Sequence, residues 1–373
     1  MFEPDDFGMS AAATLAHVAD PTPSRHHVPF WKSWVRGVEG DRPLLRAVSG
    51  PLPDPADGTA THEFASYRHV RIGCRLVRPV DGVVRAGLVS FHGYGAPIPL
   101  SQEDEQWAAL AARGVATLAI RVRGFPGSMV DTGDWTSHSW ITRGLDVPVS
   151  GVGPDGTDTT HADMMAWSMA QGVADAVNAC RVMRAWLGAG VPLYVRGESF
   201  GAAFAVIAAS LAAQHPELGY GVDRLQIGLP TMGDWRWRLT SDRARRGGGT
   251  QREIVDLLTR EASRAEDLSE RLRVCDTAIH AQRVRCPVLC KLAVRDEVVP
   301  APAAAAVFNA LYSAPGCKWR FVTPYGHFDG GIRNARRHAL FDRCVTDFLD
   351  PAAEPMESML RWEPILGRGE RAP

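Results

Sequence analysis

No uninterrupted apolar run in this 373-residue chain approaches the length that a membrane-spanning helix needs. Charge of one sign is missing too: 41 basic against 42 acidic residues leave a formal −1, so no global field draws the chain to nucleic acid or to a membrane surface. The seven cysteines are odd in number, scattered and never spaced Cys-x-x-Cys, which excludes a disulfide framework and a zinc site as readings. The opening, Met1-Phe2-Glu3-Pro4-Asp5-Asp6, is acidic where a secretory leader is basic and then apolar. The expectation is a cytoplasmic protein with neither nucleic-acid nor membrane partners. Internal repeats and sustained low-complexity tracts are absent as well. What is there is a 45% hydrophobic composition, enough to bury a large core. Length alone suggests two domains, but a single α/β domain with insertions reaches this size.

Residues 1 to 28 are mostly polar and read as a loose arm, and 351 to 373 as a tail. Between them, strands expected near 86–91, 115–121, 193–197, 224–228, 287–294 and 318–323 alternate with helical stretches, after a strand pair within 67–78. That rhythm predicts an α/β fold: a mainly parallel sheet with helices on both faces. Two excursions, 129–162 and 231–283, interrupt it. The first precedes a helix expected from about Asp163 to Leu187; the second carries helical segments around Arg252–Leu258 and Ala262–Val274. Insertions after such strands sit at the carboxyl edge of the sheet, where ligands bind.

Gly197-Glu198-Ser199-Phe200-Gly201 follows the apolar run Val191–Val195 and precedes the small-residue helix former Ala202–Ala209. Strand, Gly-x-Ser-x-Gly, helix is the nucleophile elbow of the α/β-hydrolases. A serine hydroxyl is a weak nucleophile and needs a base, which in turn needs an orienting carboxylate. In this fold they follow in the order Ser, Asp or Glu, His, on loops after late strands. Asp296 fits the acid, with Glu297 beside it as the alternative, and His327 fits the base. His338, in the Arg-rich helix beyond, reads as solvated. The oxyanion hole would use the backbone N–H of Phe200 and one from the loop His92-Gly93-Tyr94-Gly95, with Tyr94 the second donor. His92 itself reads as packing that loop.

Other features carry less. Asp155 to Asp163 is rich in potential metal ligands but lacks EF-hand or zinc spacing; Asp163 or Thr160 capping the next helix is the better reading, and no metal or cofactor is expected. Arg243 to Gly249 is a short basic run that reads as a solvated loop. Of the 11 tryptophans, Trp135, Trp140, Trp235 and Trp237 lie in the excursions, where core packing competes with sugar stacking.

These motifs together resemble the acetyl xylan esterase and cephalosporin C deacetylase family of carbohydrate esterases, over roughly residues 28 to 349. Phe91 to Gly95 is similar to that family's oxyanion loop, whose tyrosine also walls a small acyl pocket. Arg123-Gly124 with Gly127-Ser128 is similar to its Arg-Gly-Gln-Gly-x-Ser signature, and Trp140 to Asp146 to the segment entering its long helix. Gly197 to Gly201, Asp296 to Pro300 and Gly326-His327 fall where it keeps its triad. Leu229-Pro230 with Asp234-Trp235 resembles the loop opening its cap. The chain departs from the family at Phe125-Pro126 (usually Gln-Gly), at Phe200 (usually Gln) and at Phe328 (usually acidic). The resemblance implies a metal-independent cytoplasmic deacetylase assembled as a ring-like hexamer, with Tyr94, Phe125, Pro230 and Trp235 walling the substrate site. The two extra rings point to a different acyl or leaving group.

The expectation is a serine esterase for short, acetyl-like esters of a sugar or small molecule. An acyltransferase or an amide or lactone hydrolase would use the same triad, and a non-catalytic scaffold could share the fold.

Overall fold

The computed structural model describes residues 5–48, 60–95, 104–125, 128, 140–148, 160–313, 316–328 and 335–368. Ten strands form one sheet: β1 Arg46–Ala47, β2 His62–Ala65, β3 Arg71–Val77, β4 Ala86–Phe91, β5 Val115–Ile120, β6 Leu193–Glu198, β7 Arg224–Gly228, β8 Val288–Ala293, β9 Lys318–Thr323 and β10 Leu366–Arg368. Their order is β1-β2-β3-β5-β4-β6-β7-β8-β9-β10. From β5 to β9 all neighbours are parallel; β1 to β3 and β10 extend the edges antiparallel.

With both faces covered, β4 and β5 are buried throughout and read as near-continuous apolar runs. Side chains alternate between the faces with period two. Val89, Val195 and Cys290 point into the larger cluster with the helices Ser168–Leu187 and Phe200–Gln214. Leu88, Tyr194 and Leu289 point into a second cluster with Trp107, Phe341 and Phe348. The expected mainly parallel sheet is thus present, and its central strands lie within a residue or so of their predicted bounds.

Four expectations change. The strand pair placed within 67–78 is a short 3-10 turn, Tyr67–His69, followed by β3 alone; the partner β2 lies upstream. The long helix begins at Ser168, not Asp163, with Trp167 at its N-cap. Residues 5–28 are docked, not loose: Asn309 Nδ2 donates to the carbonyls of Leu15 and His17, His17 meets Asp234 at 2.7 Å, and Ser24 Oγ donates to Glu270 O at 2.6 Å. The tail contributes the helix Pro355–Leu360 and the edge strand β10, burying Met359 and Leu366.

The excursion 129–162 falls largely outside the described residues, and with it Trp135 and Asp155–Thr159. The excursion 231–283 folds as the helices Trp235–Thr240, Thr250–Arg260, Ala265–Leu272 and Thr277–Ala281. All seven cysteines are unpaired thiols. Among the described residues no helix is long and apolar enough to cross a membrane.

Candidate active site

Ser199 sits between β6 and the helix Phe200–Gln214 with φ 54° and ψ −117°, a left-handed region that a residue bearing a side chain enters only under strain. The flanking glycines make that turn feasible. A Cβ on Gly197 would stand 2.2 Å from the Gly201 backbone, and one on Gly201 would stand 2.3 Å from Phe91 O. The serine N–H donates to Gly228 O at 2.7 Å, which ties the elbow to β7.

His327, after β9, and Asp296, after β8, meet at 2.8 Å between Nδ1 and Oδ2. Asp296 is fully buried, and its other oxygen accepts from the N–H groups of Val298 (3.0 Å) and Val299 (2.8 Å). This arrangement leaves Nε2 of the imidazole as the nitrogen free to exchange a proton. Glu297, the alternative acid, instead accepts from the backbone N–H of His327 at 3.3 Å. Burial alone would lower the His327 pKa, but the negative charges of Asp296, Glu297 and Glu198 outweigh it and leave the net shift upward. Ser199 and His327 line one cavity of about 860 Å³, together with His92, Tyr94, Phe200, Leu229, Thr231 and Thr250.

Phe200 opens its helix, where the first N–H groups have no intrahelical acceptor. Tyr94 is held by its hydroxyl, which donates to Glu253 at 3.0 Å and accepts from the Ile141 N–H at 3.3 Å. His92 packs its loop as expected: Nε2 accepts from Val122 N–H at 3.2 Å, so Nδ1 donates to Gly93 O at 2.8 Å. Burial drives its pKa down to about 3, and the ring stays neutral.

Three expected substrate contacts lie elsewhere. Phe125 is buried behind the loop His92–Gly95, its ring 4.5 Å from His92, 5.9 Å from Tyr94 and 6.1 Å from Phe200. The two extra phenylalanines therefore form an aromatic floor with Trp140, whose ring is 5.3 Å from that of Phe200. Trp235 is fully buried beneath the Arg238 guanidinium at 4.1 Å. Pro230 is outside the cavity lining, which its neighbours Leu229 and Thr231 supply. Trp237 faces Phe7 and His17 of the N-terminal segment.

The signature residues Arg123 and Ser128 brace the loop after β5. Arg123 forms a fork with Asp175 (2.7 and 3.0 Å), both without exposure. Ser128 Oγ donates to Arg121 O and accepts from Gly73 N–H. The sequence reading passed over Glu253, Trp107 and Arg196. Arg196 alone carried a local signal, a charge inside an otherwise apolar strand.

No protein-family model matches the chain, and no curated protein matches its sequence. Solved structures do. An acetyl xylan esterase from Thermoanaerobacterium sp. JW/SL YS485 is 19% identical, with TM-score 0.65 over 91% of this chain and 100% of that one. One from Paenibacillus sp. R4 is 20% identical, with TM-score 0.67 over 90% and 99%. A bacterial brefeldin A esterase, described as a homologue of human hormone-sensitive lipase, is 18% identical, with TM-score 0.51 over 92% of each chain. With its nucleophile-elbow geometry and its parallel sheet, this chain has the α/β-hydrolase fold.

Proposed function

We propose that the chain is a serine ester hydrolase that removes short, acetyl-like acyl groups from a sugar or small molecule through an acyl-enzyme. Ser199 Oγ attacks the acyl carbonyl while His327 Nε2 takes its proton, and Asp296 fixes the imidazole and offsets the charge it gains. The N–H groups of Phe200 and Tyr94 receive the oxyanion, each contributing about 3–4 kcal/mol to the transition state. His327 then returns the proton to the leaving alkoxide. Water, activated by the same base, releases the acid.

The observation carrying this reading is the Asp296–His327 pair at 2.8 Å opening onto the same cavity as a serine strained at φ 54°. The short-acyl preference rests on Tyr94, which walls that cavity and is fixed by Glu253 and Ile141. The cytoplasmic setting and the hexamer implied by the family resemblance belong to the same proposal; sedimentation velocity tests the assembly.

Acetate release from p-nitrophenyl acetate, acetylated xylo-oligosaccharides and cephalosporin C tests the chemistry. Replacing Ser199 by Ala should cost on the order of 10⁶ in turnover. Hydrolysis that survives the substitution would overturn the assignment, and a preference for octanoate over acetate would overturn the short-acyl reading.

A further inference from the structure

The cavity below Ser199 extends along the sheet face opposite the helix Phe200–Gln214. Its wall there is made by Ser90, Trp107, Arg121, Arg196 and Glu198. Arg196 stands two residues from both Tyr194 and Glu198 on β6, and therefore on their face of the strand. Its guanidinium lies over the Trp107 ring at 5.0 Å, and the residue is 8% exposed. Arg196 Nη1 and Trp107 Nε1 are both buried without a hydrogen-bond partner. Both groups only donate; Gln226, in register with Arg196 on β7, also keeps its buried amide without a partner.

The carboxylate in the same wall is otherwise engaged. Glu198 accepts from Lys291 Nζ at 2.9 Å. Burial would raise its pKa, but Lys291 and Arg196 outweigh that and hold it at about 2. Its charge opposes an incoming anion, and Lys291 offsets it. A buried guanidinium with an open donor is costly to keep, and its place beside the nucleophile gives that cost a use.

We infer that Arg196 and Trp107 form an anion subsite, and that the natural ester carries a carboxylate that docks there while its acyl carbonyl sits at Ser199. The inference deepens the hydrolase reading and, for catalysis, rests on it. Arg196 is three residues from Ser199 along the chain, a span of about 10 Å at most, which suits the short ester of a hydroxy acid, keeping the acetyl-like acyl group, or a dicarboxylic hemiester, whose longer acyl chain would replace it.

Two series of esters test the subsite. One pairs the p-nitrophenyl hemiesters of succinate, glutarate and adipate with their methyl-capped neutral counterparts. The other pairs O-acetyl 4-hydroxybutyrate with its methyl ester, so the two series separate an acyl-side from an alcohol-side anion. The readout is the ratio of kcat/KM for the charged over the neutral ester within each protein. Wild type should favour the charged member of one series by about 10- to 100-fold, the worth of a charge-assisted hydrogen bond. R196M should collapse that ratio through KM, R196L should do the same, and R196K should keep part of it. W107F, which keeps the ring and loses the N–H, should lower it as well.

A wild-type ratio at or below one in both series overturns the subsite, as does a ratio unmoved by R196M. If no ester is cleaved in a Ser199-dependent way, the hydrolase reading fails separately. Binding then decides the subsite: glutarate should raise the Tm of wild type and of S199A, and not of R196M. The absence of that shift, or a shift with inorganic phosphate and none with glutarate, overturns the carboxylate assignment.

Discussion

His327 couples burial to charge. Its raised pKa keeps the imidazole protonated to higher pH than the ordinary histidine value of about 6.5, and a protonated ring cannot accept the serine proton. The acid limb of kcat/KM should therefore fall above that value. Glu297→Gln removes one of the charges holding the proton on, so the limb should move to lower pH; an unmoved limb in a pH–rate profile would count against that role. Asp296→Asn should cost about 10⁴ in kcat, because the imidazole loses its tautomer and its orientation. Asp175 is a different kind of carboxylate. Removing it in Asp175→Ala strands the Arg123 guanidinium without solvent, and urea denaturation should show a loss of about 3–5 kcal/mol.

Among the elements, the helix Thr250–Arg260 reaches the loop that carries Tyr94 through one side chain. Glu253, half-buried beside Tyr94, has its pKa raised to about 7, chiefly by burial. Between the ordinary 4.5 and that value the folded protein holds a proton that the unfolded chain releases. Its contribution to stability is therefore complete below pH 4.5 and declines as the pH rises toward 7. Thermal melts across that window should show this slope reduced in Glu253→Gln, whose amide does not titrate; an identical slope would refute the link.

This helix also marks where the sequence stopped being informative. The strands β4 and β5 were legible as short apolar runs, and β9 by the alternation of Trp319, Phe321 and polar residues before a turn at Pro324. The elbow, Asp296 and His327 were legible because the fold hangs them on the ends of strands. Which aromatic rings reach the cavity was not. Phe125 and Trp235 are as apolar as any pocket residue, and only tertiary packing sends them into the interior. Trp107 reads as an ordinary helix residue, and Arg196 as a charge within a strand whose use shows only when the sheet brings the two to one wall.

For the molecule as a whole, both terminal segments close the structure. Removing residues 351–368 would take Met359 and Leu366 out of the second core cluster, uncover the residues packed on them, Cys344 beside Met359 among them, and delete the Trp362–Asp347 hydrogen bond. With about 1.5–3 kcal/mol for each large apolar side chain uncovered, the truncated protein should unfold at clearly lower urea; an unchanged midpoint would refute the role given to β10.

The order of the sheet has a temporal consequence. Ser199 stands at the end of β6, while His327 waits beyond β9, with β7 and β8 between them. Helical signal can return on refolding before any of those strands has found its register, since non-local pairing is the slow part of such folds. Under the proposed assignment, regained ester cleavage would report a later event, the docking of β9, the fourth strand of that series. Followed beside circular dichroism, activity would time the closing of the joint between β8 and β9.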